Sequence, residues 1–108
     1  MQSAYPEAFD RDMACTPAEW LRWLPQAMGA CPWQLVPPGH EMPHTGGSLS
    51  AQVAQGSLNV SWQVAEPRRL GLAVIPRLAV CFVFQSVSDA ERTGFMKRFD
   101  LYTQRGGG

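Results

Sequence analysis

Apolar residues in this chain recur with a helical period over its first third and with the alternation of strands after that. Trp20, Leu21, Leu24, Ala27 and Met28 form one stripe at the 3.6-residue period of an amphipathic helix. Thr16-Pro17-Ala18-Glu19 sets its start. Thr16 caps, Pro17 takes the first helical position, where no amide donor is needed, and Glu19 bonds back to the cap amide. Pro25 lies inside the stripe and is expected to kink or end the helix, because it removes a donor and crowds the turn before it. Gly29 closes the element.

Beyond residue 47 the period is two. Leu49, Ala51 and Val53 alternate with Ser50 and Gln52, and after a turn at Gln55-Gly56, Leu58, Val60, Trp62 and Val64 alternate with Asn59, Ser61 and Gln63. Glu66-Pro67-Arg68 is the next expected turn, Leu70 to Ile75 a third strand, Pro76-Arg77 another turn, and Leu78 to Phe84 a fourth strand. Ser88-Asp89-Ala90-Glu91 is a second capping box. It opens a helix whose buried stripe is Phe95, Met96, Phe99 and Tyr102, and Gly94 in its middle points to close packing against the sheet. Ahead of the first helix, Phe9 to Cys15 alternates weakly, as a short edge strand does.

These elements predict an α+β domain. It has a four-stranded antiparallel sheet, with the weak stretch as a fifth, edge strand, and two helices on one face, in the order (β)-α-β-β-β-β-α. That order is similar to TBP-like and helix-grip folds, a likeness of topology alone. Residues 30–47 hold Pro32, Pro37, Pro38, Gly39, Pro43, Gly46 and Gly47, a density that predicts a loop in which at most Trp33 to Val36 is extended. A chain of 108 residues fits one domain, 1–108, around a single core, with a short flexible tail at 106–108.

The last two expected strands are apolar on both faces. One face carries Leu70, Leu72, Val74, Leu78, Val80, Phe82 and Phe84, and the other Gly71, Ala73, Ile75, Ala79, Cys81 and Val83. A sheet covered on one side only does not pattern this way, so the second face is expected to meet the Pro-rich loop 30–47, a symmetry mate or an apolar ligand. Ala73, Ile75, Ala79, Cys81 and Val83 are therefore the candidate interface or ligand residues. Cys81 is expected to act as a small hydrophobe rather than a nucleophile.

Composition narrows the function classes. With 45% hydrophobic and 17% charged residues the chain is globular, and its 9 acidic and 9 basic groups leave no net field to attract nucleic acid or an anionic membrane. Residues 1–54 are acidic, with five carboxylates against Arg11 and Arg22, and residues 55–108 are basic, which suits pairing between the halves. Arg68-Arg69 and Arg77, at opposite ends of one expected strand, do not make a single anion site. Cys15, Cys31 and Cys81 form no paired motif and fit a reducing, cytoplasmic setting. No secretory leader and no apolar run of about eighteen residues is present, so no membrane association is expected.

Gly39 to Gly47, GHEMPHTGG, contains the His-Glu-x-x-His pattern of zinc peptidases at His40, Glu41 and His44. That chemistry needs both imidazoles on one face of a regular helix, with a third ligand downstream. Pro37-Pro38-Gly39 precedes the pattern, Pro43 interrupts it, Gly46-Gly47 follows, and no third His exists in the chain. The match is read as two loop histidines, with no metal, no cofactor and no catalytic residue assigned. The terminal Gly106-Gly107-Gly108 is similar to the ending of ubiquitin-like sulfur carriers, but here it follows a capped helix rather than a β-grasp strand, so it reads as a helix cap and tail.

The ending FMKRFDLYTQRGGG resembles the C-termini of short uncharacterised bacterial proteins; the resemblance covers the last 14 residues and implies no activity. The sequence thus favours a non-enzymatic binding or assembly module, a homodimer through its sheet. The alternative is a small apolar-ligand protein with a pocket between sheet and helices.

Overall fold

The computed structural model describes residues 5–36 and 45–103. They form β1 (Ala8–Met13), α1 (Pro17–Met28), β2 (Trp33–Val36), β3 (Gly46–Val53), β4 (Gly56–Leu70), β5 (Ala73–Gln85) and α2 (Asp89–Thr103). The five strands make one antiparallel sheet in the order β1-β5-β4-β3-β2. The chain enters at one edge, crosses to the other through α1, and returns as a meander until β5 pairs with β1. Both helices pack on one face, giving the expected α+β fold.

The strands differ from expectation at two places, the first of them set by proline. Residues 70–75 are not a separate strand, and neither 66–68 nor 76–77 is a turn. Instead β4 runs through Pro67 and β5 through Pro76, and the hairpin reverses at Gly71-Leu72. The register pairs Ala65 with Arg77 and then Arg68 with Ile75, so Glu66 and Pro67 together oppose Pro76 in a β-bulge. A bulge is where a strand tolerates residues that donate no ladder hydrogen bond, which is why two prolines end neither strand. Gly71, at φ 61°, supplies the positive first central position of the tight turn.

The second difference lies in the loop expected over 30–47. Trp33–Val36 becomes β2, paired with Ser48–Ala51, and β3 begins at Gly46 rather than Leu49. Trp62 explains the glycines. A Cβ on Gly47 would lie 2.9 Å from its indole, and one on Gly46 would lie 2.7 Å from its carbonyl oxygen. Residues 37–44, with His40, Glu41 and His44, and the tail Gly106–Gly108 lie outside the described residues.

Both capping boxes form. Thr16 and Glu19 exchange side-chain and backbone hydrogen bonds at 3.0 and 3.2 Å, and Ser88 and Glu91 do the same. Helix α1 continues past Pro25 to Met28, because that residue sits on the exposed side in the last turns, where one lost donor is tolerated. The C-terminal carbonyl of Gln26 accepts from Arg98 of α2 at 3.0 Å, a cation on the negative end of the helix. In α2 the buried stripe is Phe95, Met96, Phe99 and Thr103. Tyr102 is half-buried beneath the Arg98 guanidinium, 4.9 Å from its ring centre.

The core lies between the helices and one face of the sheet. Trp20 packs against Trp62 and Phe99, and Phe82 meets Phe99 edge-on. Leu24, Met28, Leu49, Leu58, Val60, Leu78, Val80 and Met96 complete it, each at most 2% exposed. Truncating one of the large aromatics costs about 3–5 kcal/mol. The N-terminal segment is strapped across this layer. Tyr5 Oη donates to Asp100 at 2.9 Å, Arg11 pairs with Asp100, and Arg92 donates to the carbonyls of Tyr5 and Val87.

Candidate functional site

No described element covers the second face of the sheet. Pairing across the strands defines three of its rows: Asp12, Ala79, Gln63 and Gly46; then Asp10, Cys81, Ser61, Ser48 and Val36; then Ala8, Val83, Asn59, Ser50 and Gln34. Most of these side chains are small. Ala79, Ser61, Asn59, Gln63 and both aspartates are exposed, and Cys81 and Val83 are half-buried. The part of residues 30–47 that is described does not lie over them, since β2 sits at the far edge of the sheet, separated from β5 by β4 and β3.

Small residues on a twisted sheet leave a hollow. A shallow open depression of about 450 Å³ is lined by Asp10, Asp12, Ser61, Gln63, Ala79 and Cys81, among others. Its floor is neutral and its β1 rim acidic. Desolvation, and after it the hydrogen bond and charge of Asp10, push the Cys81 thiol up from its ordinary value, so it is a poor nucleophile at neutral pH.

Beyond the bulge the β4–β5 ribbon leaves the body as an arm. Arg68 pairs with Ile75 and Leu70 with Ala73, and their side chains share the face of Ala79 and Cys81, because β5 takes the bulge without an extra residue and its alternation persists. Arg69 and Val74 occupy the other face. Leu70 is 58% exposed, Val74 55%, and the tip residue Leu72 fully so. Exposed large apolar side chains grouped on one projecting element are the mark of a contact surface.

Arg77 fastens the base of the arm. It donates to Asp12 at 3.1 Å and to the Glu66 carbonyl, within the bulge, at 3.0 Å. The hairpin also alters the distribution of charge. Arg68 and Arg77, expected at opposite ends of one strand, are neighbours across the bulge, two residues apart in register.

The five residues chosen from the sequence thus share one face of β5, with Ala73 and Ile75 on the arm and Ala79, Cys81 and Val83 over the body. Asp10, Asp12, Ser61, Arg68 and Leu70 belong to the same surface and were missed. The aspartates were visible in the alternation of residues 9–15; placing them needed the pairing of β1 with β5. A turn at 66–68 would set Leu70 on the face of Leu78 and Phe82; the reversal at Gly71-Leu72 pairs it with Ala73 on the open face instead.

A second concavity, about 610 Å³, opens between the end of α1, the β3–β4 turn and α2, lined by Met28, Cys31, Val53, Glu91, Phe95 and Arg98 with others. Gly94 also lines it, and a Cβ there would meet nothing within 4 Å. The glycine faces this groove and does not pack closely on the sheet, contrary to the sequence expectation. Among the described residues no three His, Cys, Asp or Glu side chains are grouped to hold a metal ion, and no helix is long and apolar enough to cross a membrane. No family model, no curated protein and no solved structure matches the chain.

Proposed function

We propose that this protein is a non-enzymatic, cytoplasmic binding and assembly module that self-associates through the open face of its sheet. The observation that carries this reading is the face of β5 with Leu70, Ala73 and Ile75 on the arm and Ala79, Cys81 and Val83 beyond Arg77, which no described element covers. Apolar area left in water is a cost that a symmetric partner removes at about 25 cal/mol per Å². The free state of all three cysteines suits a reducing compartment.

The test is Ala79→Arg at the centre of the face, with mass read by light scattering. The substitution is exposed and leaves the core intact, so the variant is expected to keep its circular dichroism and melting temperature while becoming a monomer. An unchanged oligomer would refute the reading. A second reading, an apolar-ligand site, draws support from the groove beside Gly94, where Met28, Val53 and Phe95 line the concavity together with Glu91 and Arg98. It differs in requiring a monomer whose open face stays wet.

A further inference from the structure

Resting on the self-association just proposed, we propose how the two copies meet: the hairpin arm of each, residues 68–75, seats in the depression on the open face of the other. Three features of the molecule point to this arrangement.

The first is shape. The arm carries its bulk outward, with Leu70 and Ile75 on the open-face side, whereas the stretch of the same face below Arg77 is built from Ala79, Cys81, Ser61 and Gln63 around the hollow. One half of the surface is knobs and the other is the recess that fits them. The second is length. Ala73 lies four residues above Arg77 in β5 and Cys81 four below, each about 13 Å away at the usual rise of a strand. A two-fold axis between the stacked sheets, at the level of Arg77 and across the strands, places Ala73 over the partner copy's Cys81 and Ile75 over its Ala79. The same axis returns the second arm to the first depression, so the contact is reciprocal and closes at two copies.

The third is charge. On its open-face side the arm is basic through the exposed Arg68, and the recess is edged on β1 by Asp10, beside Asp12, which is paired with Arg77. Stacking open faces without the arms would set the two acidic rims near each other; seating the arms turns Arg68 of each copy toward the partner copy's acidic rim, and the two Arg77 side chains that meet at the axis are each paired with an Asp12 carboxylate.

Disulfide trapping tests this placement. In a Cys31→Ser background, Ala73→Cys is mixed with oxidised glutathione, which takes up the two electrons and two protons released as two thiols join. Residues 73 and 81 of one chain are eight apart along a strand, about 26 Å, far beyond the roughly 7 Å limit for a bridge, so any link between them joins two chains. The expected result is a covalent dimer that forms with Ala73→Cys and disappears when Cys81→Ser is added. The exposed position on the arm leaves the fold intact.

A link that survives Cys81→Ser would show arms paired with arms and overturn the seating. So would a link in the Cys31→Ser parent, without Ala73→Cys, which would show the sheet centres stacked on each other; both results leave self-association standing. A monomeric mass with no crosslink would overturn both proposals.

Discussion

Two glycines in the helices answer to different causes, and the difference is testable by one substitution at each. Gly29 ends α1 at φ 62°, and a Cβ there would lie 2.5 Å from Arg98 Nε, so alanine meets both a left-handed backbone and a packed guanidinium. That positive-φ backbone, open in practice to glycine alone, by itself costs a residue with a Cβ roughly 1–3 kcal/mol; Gly29→Ala is expected to lose at least about 1 kcal/mol in chemical denaturation. Gly94 stands in an ordinary helical turn with open space beside it. Gly94→Ala is therefore expected to gain about 0.5–1 kcal/mol by helix propensity. A loss at Gly94 would mean that its backbone touches something that the groove does not show.

Cys15 supplies a pH dependence. It is wholly buried, and desolvation, followed by the charge of Glu19, raises its thiol from 9.0 to about 11. The folded state thus prefers the neutral thiol. Its contribution is full below the unfolded-state value and is lost as pH rises from about 9 to about 11, a fall of roughly 2–3 kcal/mol. Tyr5, raised by burial and then by its hydrogen bond to Asp100, adds to the same alkaline loss at higher pH. Denaturation midpoints across that range should fall less steeply in Cys15→Ala than in the parent; equal slopes would contradict the assignment.

At the scale of elements, the β4–β5 hairpin is both the least legible part of the sequence and the part on which function is built here. The helices could be read because each is announced by a local capping box, and strands β3 and β4 because their alternation is regular. The hairpin misled because Pro67 and Pro76 look like turn residues one at a time, and only their pairing across a bulge shows that they belong inside strands. Gly71-Leu72 held the true turn signal but was weaker than two prolines. The exposed arm was invisible for the same reason, as were Arg68 and Leu70 as members of the candidate surface.

Arg77 is the fastening of that hairpin, so Arg77→Met should free the arm without unfolding the body. Because its ion pair with Asp12 is partly exposed, the loss of global stability is expected to be about 1 kcal/mol or less. Amide hydrogen exchange of residues 68–75 should quicken markedly while that of β3 and α2 is unchanged. Uniform quickening across the sheet would show that Arg77 supports the whole fold instead.

The molecule as a whole has two unlike faces. One face of the sheet is sealed by two helices through Trp20, Phe82 and Phe99, and the other carries small residues, an acidic edge and an apolar arm. Two of the three ion pairs among the described residues join the halves of the chain: Arg77 with Asp12 in the sense that the charge balance suggests, and Arg11 with Asp100 in the reverse sense. The pairing therefore ties the β1 edge to both α2 and the arm, and holds the recess and the arm in a fixed relation. The most direct test of self-association is sedimentation equilibrium of the full chain over a wide concentration range. Self-association predicts a species of twice the chain's 11.9 kDa that dissociates on dilution; a mass of one chain at every concentration would contradict it.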